Sequence, residues 1–204
     1  MHPHFPLFPL PLVAHPFARI PLQIFEPRYL ELVKHSASSQ QSFGLVTLDP
    51  AAPSGPSTAI YKPTILPIGT AVKIVDFDQL PNGLLGIVCE GQYRFRVHDP
   101  VVNDANLLEA SIETLAPETE FVLPNEFDDA VGVLIALLEH GYAKRVGYDR
   151  ARGENYWRQH AVQLSWALAS LLPVDDETKY AWLSMDATPE RLASIMKAVE
   201  QMQS

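Results

Sequence analysis

Seven of the 18 prolines in this 204-residue chain fall within its first 27 positions, and nothing else in the sequence restricts its fold as strongly. The run Phe5-Pro-Leu-Phe-Pro-Leu-Pro-Leu12 excludes a helix, because each interior proline removes a donor and clashes with the preceding turn. It must be extended. Proline cannot donate to a ladder, so the run reads as an apolar edge strand or a polyproline-like segment lying on an apolar surface. Pro6 and Pro9 match the spacing of an SH3-type ligand. The flanks are Phe and Leu rather than basic residues, and the folded edge strand is the better reading.

Fifteen Lys and Arg stand against 24 Asp and Glu, a net charge of −9, and the basic residues are scattered. Such a surface repels phosphate backbones and argues against nucleic acid as a partner. The longest apolar stretch, Ala130 to Leu138, falls far short of the roughly 20 residues that cross a bilayer. No Lys or Arg precedes Arg19, so the charged start of a secretion signal is missing. The single cysteine, Cys89, has no partner for a disulfide or a zinc ribbon. These features lead us to expect a soluble, cytoplasmic protein that contacts no membrane.

The composition shifts near Pro117 to Pro124, and we place a domain boundary there: a β-rich region over 1–120 and a helical region over 121–204. In the first region, Pro27 suits a first helical position and predicts a short helix over 27–35, with Glu26 at the positive end of its dipole. Ser36 to Ser42 and Asp49 to Thr58 have the composition of disordered loop tips, and Phe43 to Leu48 between them reads as a buried strand. Thr70 to Phe77 and Leu84 to Glu90 flank an Asn82-Gly83 hairpin signal. Gln92 to Val97 alternates, with Tyr93, Phe95 and Val97 on a buried face and Arg94 and Arg96 on the other. Leu107 to Leu115 is the last strand. Many short strands with frequent turns predict a barrel or a sandwich.

In the second region the period becomes helical. Four helices are expected: one capped by Asn125 and stopped by Gly141, one over Asn155 to Leu172, one capped by Asp175, and one opened by Thr188-Pro189. The fold class is α+β.

Signatures of catalysis are missing. There is no phosphate-cradling loop, dinucleotide fingerprint, nucleophile elbow or zincin motif. Ser194-Ile-Met-Lys197 has Ser-x-x-Lys spacing, but its companion motifs are absent and an exposed helix face accounts for it. His2-Pro-His4 lacks the neighbouring carboxylate a metal site would need, and Asp76-x-Asp78 and Asp175-Asp-Glu177 read as solvated faces. No enzyme, metal or cofactor is expected.

Phe5-Pro-Leu-Phe-Pro-Leu10 followed by Ile20-Pro-Leu-Gln-Ile-Phe-Glu-Pro-Arg-Tyr29 resembles the signature of the substrate-binding N-terminal domain of Lon proteases. A second block supports it, from Ile68-Gly-Thr-Ala-Val-Lys-Ile-Val-Asp76 through Leu80-Pro-Asn-Gly83 to Glu90-Gly-Gln-Tyr-Arg-Phe-Arg-Val97. The chain is similar to a free-standing bacterial Lon-domain protein. The resemblance implies a twisted β pseudobarrel of the PUA-like kind, a helical bundle after it, and binding of protein substrates. Where the family commonly has a Pro-Gly turn, this chain has His15-Pro-Phe-Ala-Arg19.

The function expected from these readings is non-enzymatic capture of exposed apolar or unfolded protein segments, as an adaptor or holdase-like factor. A groove between the β-domain and the bundle would be lined by Phe25, Arg28, Tyr29, Arg94 and Phe95, with a surface around Trp182 as the reserve. Glu26, Pro27 and Arg28 also have a structural reading, as a helix start with a paired guanidinium. The rival functions are a small-molecule binder in the same groove and an uncharacterised hydrolase built on Ser194 and Lys197.

Overall fold

The computed structural model describes residues 2–52, 63–139 and 152–203. Six strands form one mixed sheet in the first part of the chain: β1 (His2–Leu10), β2 (Arg19–Ile24), β3 (Phe43–Leu48), β4 (Ile65–Gln79), β5 (Leu85–Val102) and β6 (Leu108–Thr114). One helix, α1 (Pro27–Ser39), interrupts them. The strand order is β2-β5-β4-β3-β1-β6, and β6 also pairs with β5, so the ladder returns on itself.

Contrary to the edge position expected for the proline run, β1 lies between two strands. Phe5, Pro6 and Leu7 face Ala110, Glu109 and Leu108 of β6 in antiparallel register. Leu7 to Leu10 then pair in parallel with Gly44 to Thr47 of β3. Each half of the strand uses mainly one of its edges, and this reconciles the missing donors with an interior place.

The residues after β1 are strapped to the sheet by threonine hydroxyls. Thr47 Oγ1 donates to the Leu12 carbonyl at 3.0 Å and Thr70 Oγ1 to that of Ala14 at 2.6 Å. The following turn places Phe17 at φ 63°, so a phenylalanine occupies the left-handed conformation that a glycine would take more easily.

Two expected strands, Leu84 to Glu90 and Gln92 to Val97, are one continuous β5. A register shift separates the Ala71↔Tyr93 pair from Val72↔Gly91, leaving Gln92 as the extra residue of a bulge. Gly91 is required there, since a Cβ would lie 2.2 Å from the His15 carbonyl oxygen. The Asn-Gly hairpin forms as expected, with Gly83 at φ 80° and Leu80 N–H donating to Leu84 O at 3.0 Å.

Helix α1 runs past the predicted end at His35 into the serine-rich stretch. Ser38 and Ser39 hydroxyls both donate to the His35 carbonyl, at 3.0 and 2.8 Å, and the helix stops at Gln40 in the left-handed region. The two serine hydroxyls thus bond back onto the last turn of the helix where a loop was expected. Asp49 to Ala52 form a turn, with Ala51 N–H on the Asp49 carboxylate. The rest of the second predicted loop lies outside the described residues.

The later part is helical. After a 3-10 turn (Asn125–Phe127) come α2 (Asp128–Leu138), α3 (Glu154–Gln159), α4 (Ala161–Leu171), α5 (Asp176–Ser184) and α6 (Thr188–Gln203). Asn125 therefore opens a 3-10 turn, and no side chain caps α2. The predicted stop at Gly141 lies outside the described residues.

The helix expected over Asn155 to Leu172 is broken at His160, whose φ of −131° and ψ of 67° interrupt the ladder. The break has a partner. Glu120 receives the Val162 and Gln163 N–H groups at 3.0 and 3.2 Å, capping α4 from a remote segment. Five α-helices thus stand among the described residues after Leu115 where four were expected.

By its internal contacts the chain divides into two units. One comprises Met1–Pro16 and Ile20–Leu115; the other comprises Phe17–Arg19 and Ala116–Ser204. The first core gathers Leu7, Val46, Ala71, Phe95, Leu108, Ala110 and Ile112. In the second, Trp157, Trp166 and Trp182 are all fully buried.

Candidate functional site

The first unit carries a groove of about 600 Å³ with walls from α1, β1 and the β5–β6 turn. Helix α1 supplies Arg28, Glu31, Leu32 and His35, which recur at helical spacing on one face. The opposite side is built from His4, Pro6, Leu107 and Glu109.

Arg28 joins the two walls. Its Nη2 pairs with Glu26 at 2.6 Å, and its Nη1 donates to the Asn106 carbonyl at 3.1 Å. Its guanidinium carbon sits 4.7 Å from the centre of the Tyr29 ring. The receiving turn is held by its own hydrogen bonds. Asn103 Oδ1 accepts from Ala105 and Leu107 N–H at 2.9 and 3.0 Å, and Asn106 holds φ at 57°. Asn103 Nδ2 then donates to Glu109 at 2.7 Å, and the other Glu109 oxygen lies 3.4 Å from His4 Nδ1. A mostly apolar channel edged by a guanidinium, carboxylates and imidazoles can hold an apolar side chain and orient the polar groups beside it.

The residues singled out from the sequence separate in the structure. Arg28 lines the groove. Phe25, 66% exposed, stands outside it just before α1. Tyr29 does not edge the groove. It is buried, its ring centre 3.8 Å from that of Phe8, because its place on α1 faces the sheet.

Phe95 is likewise interior. A Cβ at Gly44 or Gly69 would come within 2.5 or 2.7 Å of its ring, so two glycines make room for it. Arg94, expected on an open face, is buried as well. Trp182, which marks the reserve surface, is itself buried, and its indole donates to Ser194 Oγ at 3.0 Å. Ser194 serves there as a hydrogen-bond acceptor, while Lys197 points to solvent.

Sequence reasoning missed Glu31, His35, Leu107 and Glu109. The helical spacing of Arg28, Glu31 and His35 was a usable signal; the approach of β6 to α1 is non-local and left none. Cys89 is no alternative nucleophile, because burial pushes its thiol up to about 12. Among the described residues no cluster of His, Cys, Asp or Glu could hold a metal ion, and no helix is long and apolar enough to cross a membrane.

Comparison with known proteins agrees with this architecture. A solved Lon N-terminal domain protein from Xanthomonas campestris superposes with a TM-score of 0.70 at 29% identity, covering 95% of this chain and 97% of that one. The N-terminal domain of a Mycobacterium avium complex Lon protease shares the fold, with a TM-score of 0.62 at 16% identity over 95% and 96% of the two chains. A Lon protease of Bacillus thuringiensis (strain Al Hakam) is 26% identical over 143 residues, which are 68% of this chain and 17% of the protease. The family model for the ATP-dependent protease La (LON) substrate-binding domain matches residues 4–201, and the chain belongs to that family.

Proposed function

We propose that the chain is a non-enzymatic module that captures exposed apolar or unfolded protein segments, as an adaptor or holdase-like factor. The groove between α1 and the β5–β6 turn carries this reading. It combines apolar walls with a fixed guanidinium, in a chain whose family is one of protein-binding modules. In the same reading, 1–120 is a PUA-like pseudobarrel and 121–204 a helical bundle. Of the original contact set, Arg28 and the exposed Phe25 would touch the substrate. Tyr29, Arg94 and Phe95 would support the surface from within.

The charge of −9 argues against nucleic-acid partners, and the lone cysteine suits a reducing cytoplasm. Neither cofactor nor membrane enters the proposed mechanism. Binding rests on burying apolar side chains, and Arg28 holds the two walls at their spacing.

The test uses reduced, carboxymethylated α-lactalbumin as a permanently unfolded probe. Leu107→Ser and Arg28→Ala should each weaken its capture about tenfold or more, as loss of a groove contact does. Melting of the same variants separates lost binding from lost folding. Undiminished capture by both would overturn the groove. ATP turnover or casein cleavage abolished by a point change would overturn the non-enzymatic reading.

A further inference from the structure

A second surface lies on the β4–β5 ribbon, built from residues that do not line the groove. Strand β3 accompanies β4 only as far as the Phe43↔Val72 pair, whereas β4 and β5 stay paired out to Gln79↔Leu85. Among the described residues, therefore, β4 has a strand on one side only from Lys73 to Gln79. The other side is a sheet edge, with backbone groups available for a further strand. Phe77 N–H donates to the carboxylate of its own neighbour Asp76 at 2.9 Å.

The edge is two-faced. Val75 and Phe77 are 43% and 51% exposed. Val75 is the extra residue of a bulge, falling between the Ile74↔Cys89 and Asp76↔Val88 pairs. Beyond it, Phe77 stands opposite Ile87 on one face. Asp76 and Asp78 project from the other, both exposed. Lys73, the one cation of the stretch, faces Glu90 across the ribbon. An acidic row and an apolar row thus alternate along an open edge.

We propose that this edge docks an extended segment of a partner protein in which apolar and basic residues alternate. Main-chain hydrogen bonds to β4 would supply the attachment, and the alternation the specificity. Apolar side chains would cover Phe77, while Lys or Arg side chains would meet Asp76 and Asp78 across the strands. A second copy of this chain is a poor occupant, because antiparallel edges would bring the acidic rows together. The bulge and the two carboxylates guard the edge against pairing with itself. The proposal is independent of the groove.

A labelled peptide of alternating valine and lysine, as long as the open edge, tests it by fluorescence anisotropy. The wild-type protein should bind it saturably, and a valine–glutamate peptide should not bind. Asp76→Asn combined with Asp78→Asn, and separately Phe77→Ser, should each weaken binding about tenfold, with Leu107→Ser leaving it unchanged. N-methylation of the backbone groups on one side of the peptide should abolish it. Binding that survives N-methylation of each side in turn, ignores these substitutions or is lost in Leu107→Ser would overturn the proposal. So would concentration-dependent dimerisation through Phe77, seen by sedimentation.

Discussion

The two units fill their interiors by opposite means. The first packs an apolar centre around Phe95, to which Phe5 adds an edge-to-face ring at 5.5 Å. Fit is achieved by subtraction, with glycine at 44 and 69 where a methyl group would collide with the ring. The first unit also buries Arg94, outside that apolar cluster, whereas the second ties its interior together through an enclosed charge. Arg191 is fully enclosed, with Nη2 2.9 and 3.0 Å from the Glu118 oxygens and Nε 3.0 Å from Ser165 Oγ.

Its Nη1 donates to the Met185 carbonyl, and its guanidinium carbon lies 3.5 Å from the centre of the Trp166 ring. Glu118 in turn accepts from Trp166 Nε1 and Thr188 Oγ1. The first core is therefore sensitive to volume, whereas the second depends on every polar partner being present.

The largest effect should come from removing one side of the buried pair. Arg191→Ala leaves Glu118 largely enclosed without its counter-charge, a loss of about 3–5 kcal/mol and a fall in melting midpoint of roughly 10 °C. Arg191→Met with Glu118→Leu should recover part of it. Full recovery is not expected, because Trp166 Nε1 and Thr188 Oγ1 lose their acceptor. A single Arg191 variant as stable as wild type would break the contrast between the cores.

Gly44→Ala probes the volume-limited core. The added carbon would sit 2.5 Å from Phe95 Cζ and 2.7 Å from Leu7 Cδ2. The expected cost is about 1–3 kcal/mol by thermal or urea unfolding. Combining it with Phe95→Leu should cost less than the sum of the two, since the smaller side chain vacates the contested space. Strict additivity would show that Phe95 is not what excludes a side chain at 44.

This contrast also explains what could be read in advance. The strand over Thr70 to Phe77, though its burial does not alternate as expected, the Asn82-Gly83 hairpin and the Asp175 cap are local patterns, and local patterns are visible in a linear sequence. The interior place of β1 depends on two strands more than 30 positions away, and Glu120 caps α4 from 42 residues earlier in the chain. Neither leaves a local trace.

The site divides along the same line. Arg28 was legible through the Phe-Glu-Pro-Arg-Tyr run. For Tyr29 and Phe95 the sequence leaves core and groove open, because an aromatic side chain suits either by type; packing decides, and both are buried. Phe17 shows that a left-handed turn position can be held without a glycine.

A smaller effect of opposite sign is expected at the end of α1. Gln40 is exposed and closes the helix at φ 54°, a conformation glycine adopts without strain. Gln40→Gly should raise stability by about 0.5–1 kcal/mol. A lowered midpoint would mean that the Gln40 side chain contributes more than its backbone strain costs.

The smallest effect belongs to the exposed cap of the second unit, and it is one of pH. Thr178 N–H donates to Asp175 Oδ1 at 2.7 Å, and that backbone hydrogen bond, aided by the Thr178 side chain and opposed by slight desolvation, holds the carboxyl below its ordinary value of 3.8. A group depressed in the folded state contributes stability above its unfolded pKa and loses it as the pH falls through the folded one. Asp175→Asn keeps a capping oxygen that does not titrate. Wild type should therefore lose stability relative to Asp175→Asn as the pH drops from about 5 towards 2, and hold a constant difference above that window. Melting midpoints of the two proteins across this range measure it. A difference that stays constant from about pH 5 to 2 would mean that the carboxylate is not bonded to the helix start, and the cap would then have to be supplied by Asp176 or Glu177 in the first turn.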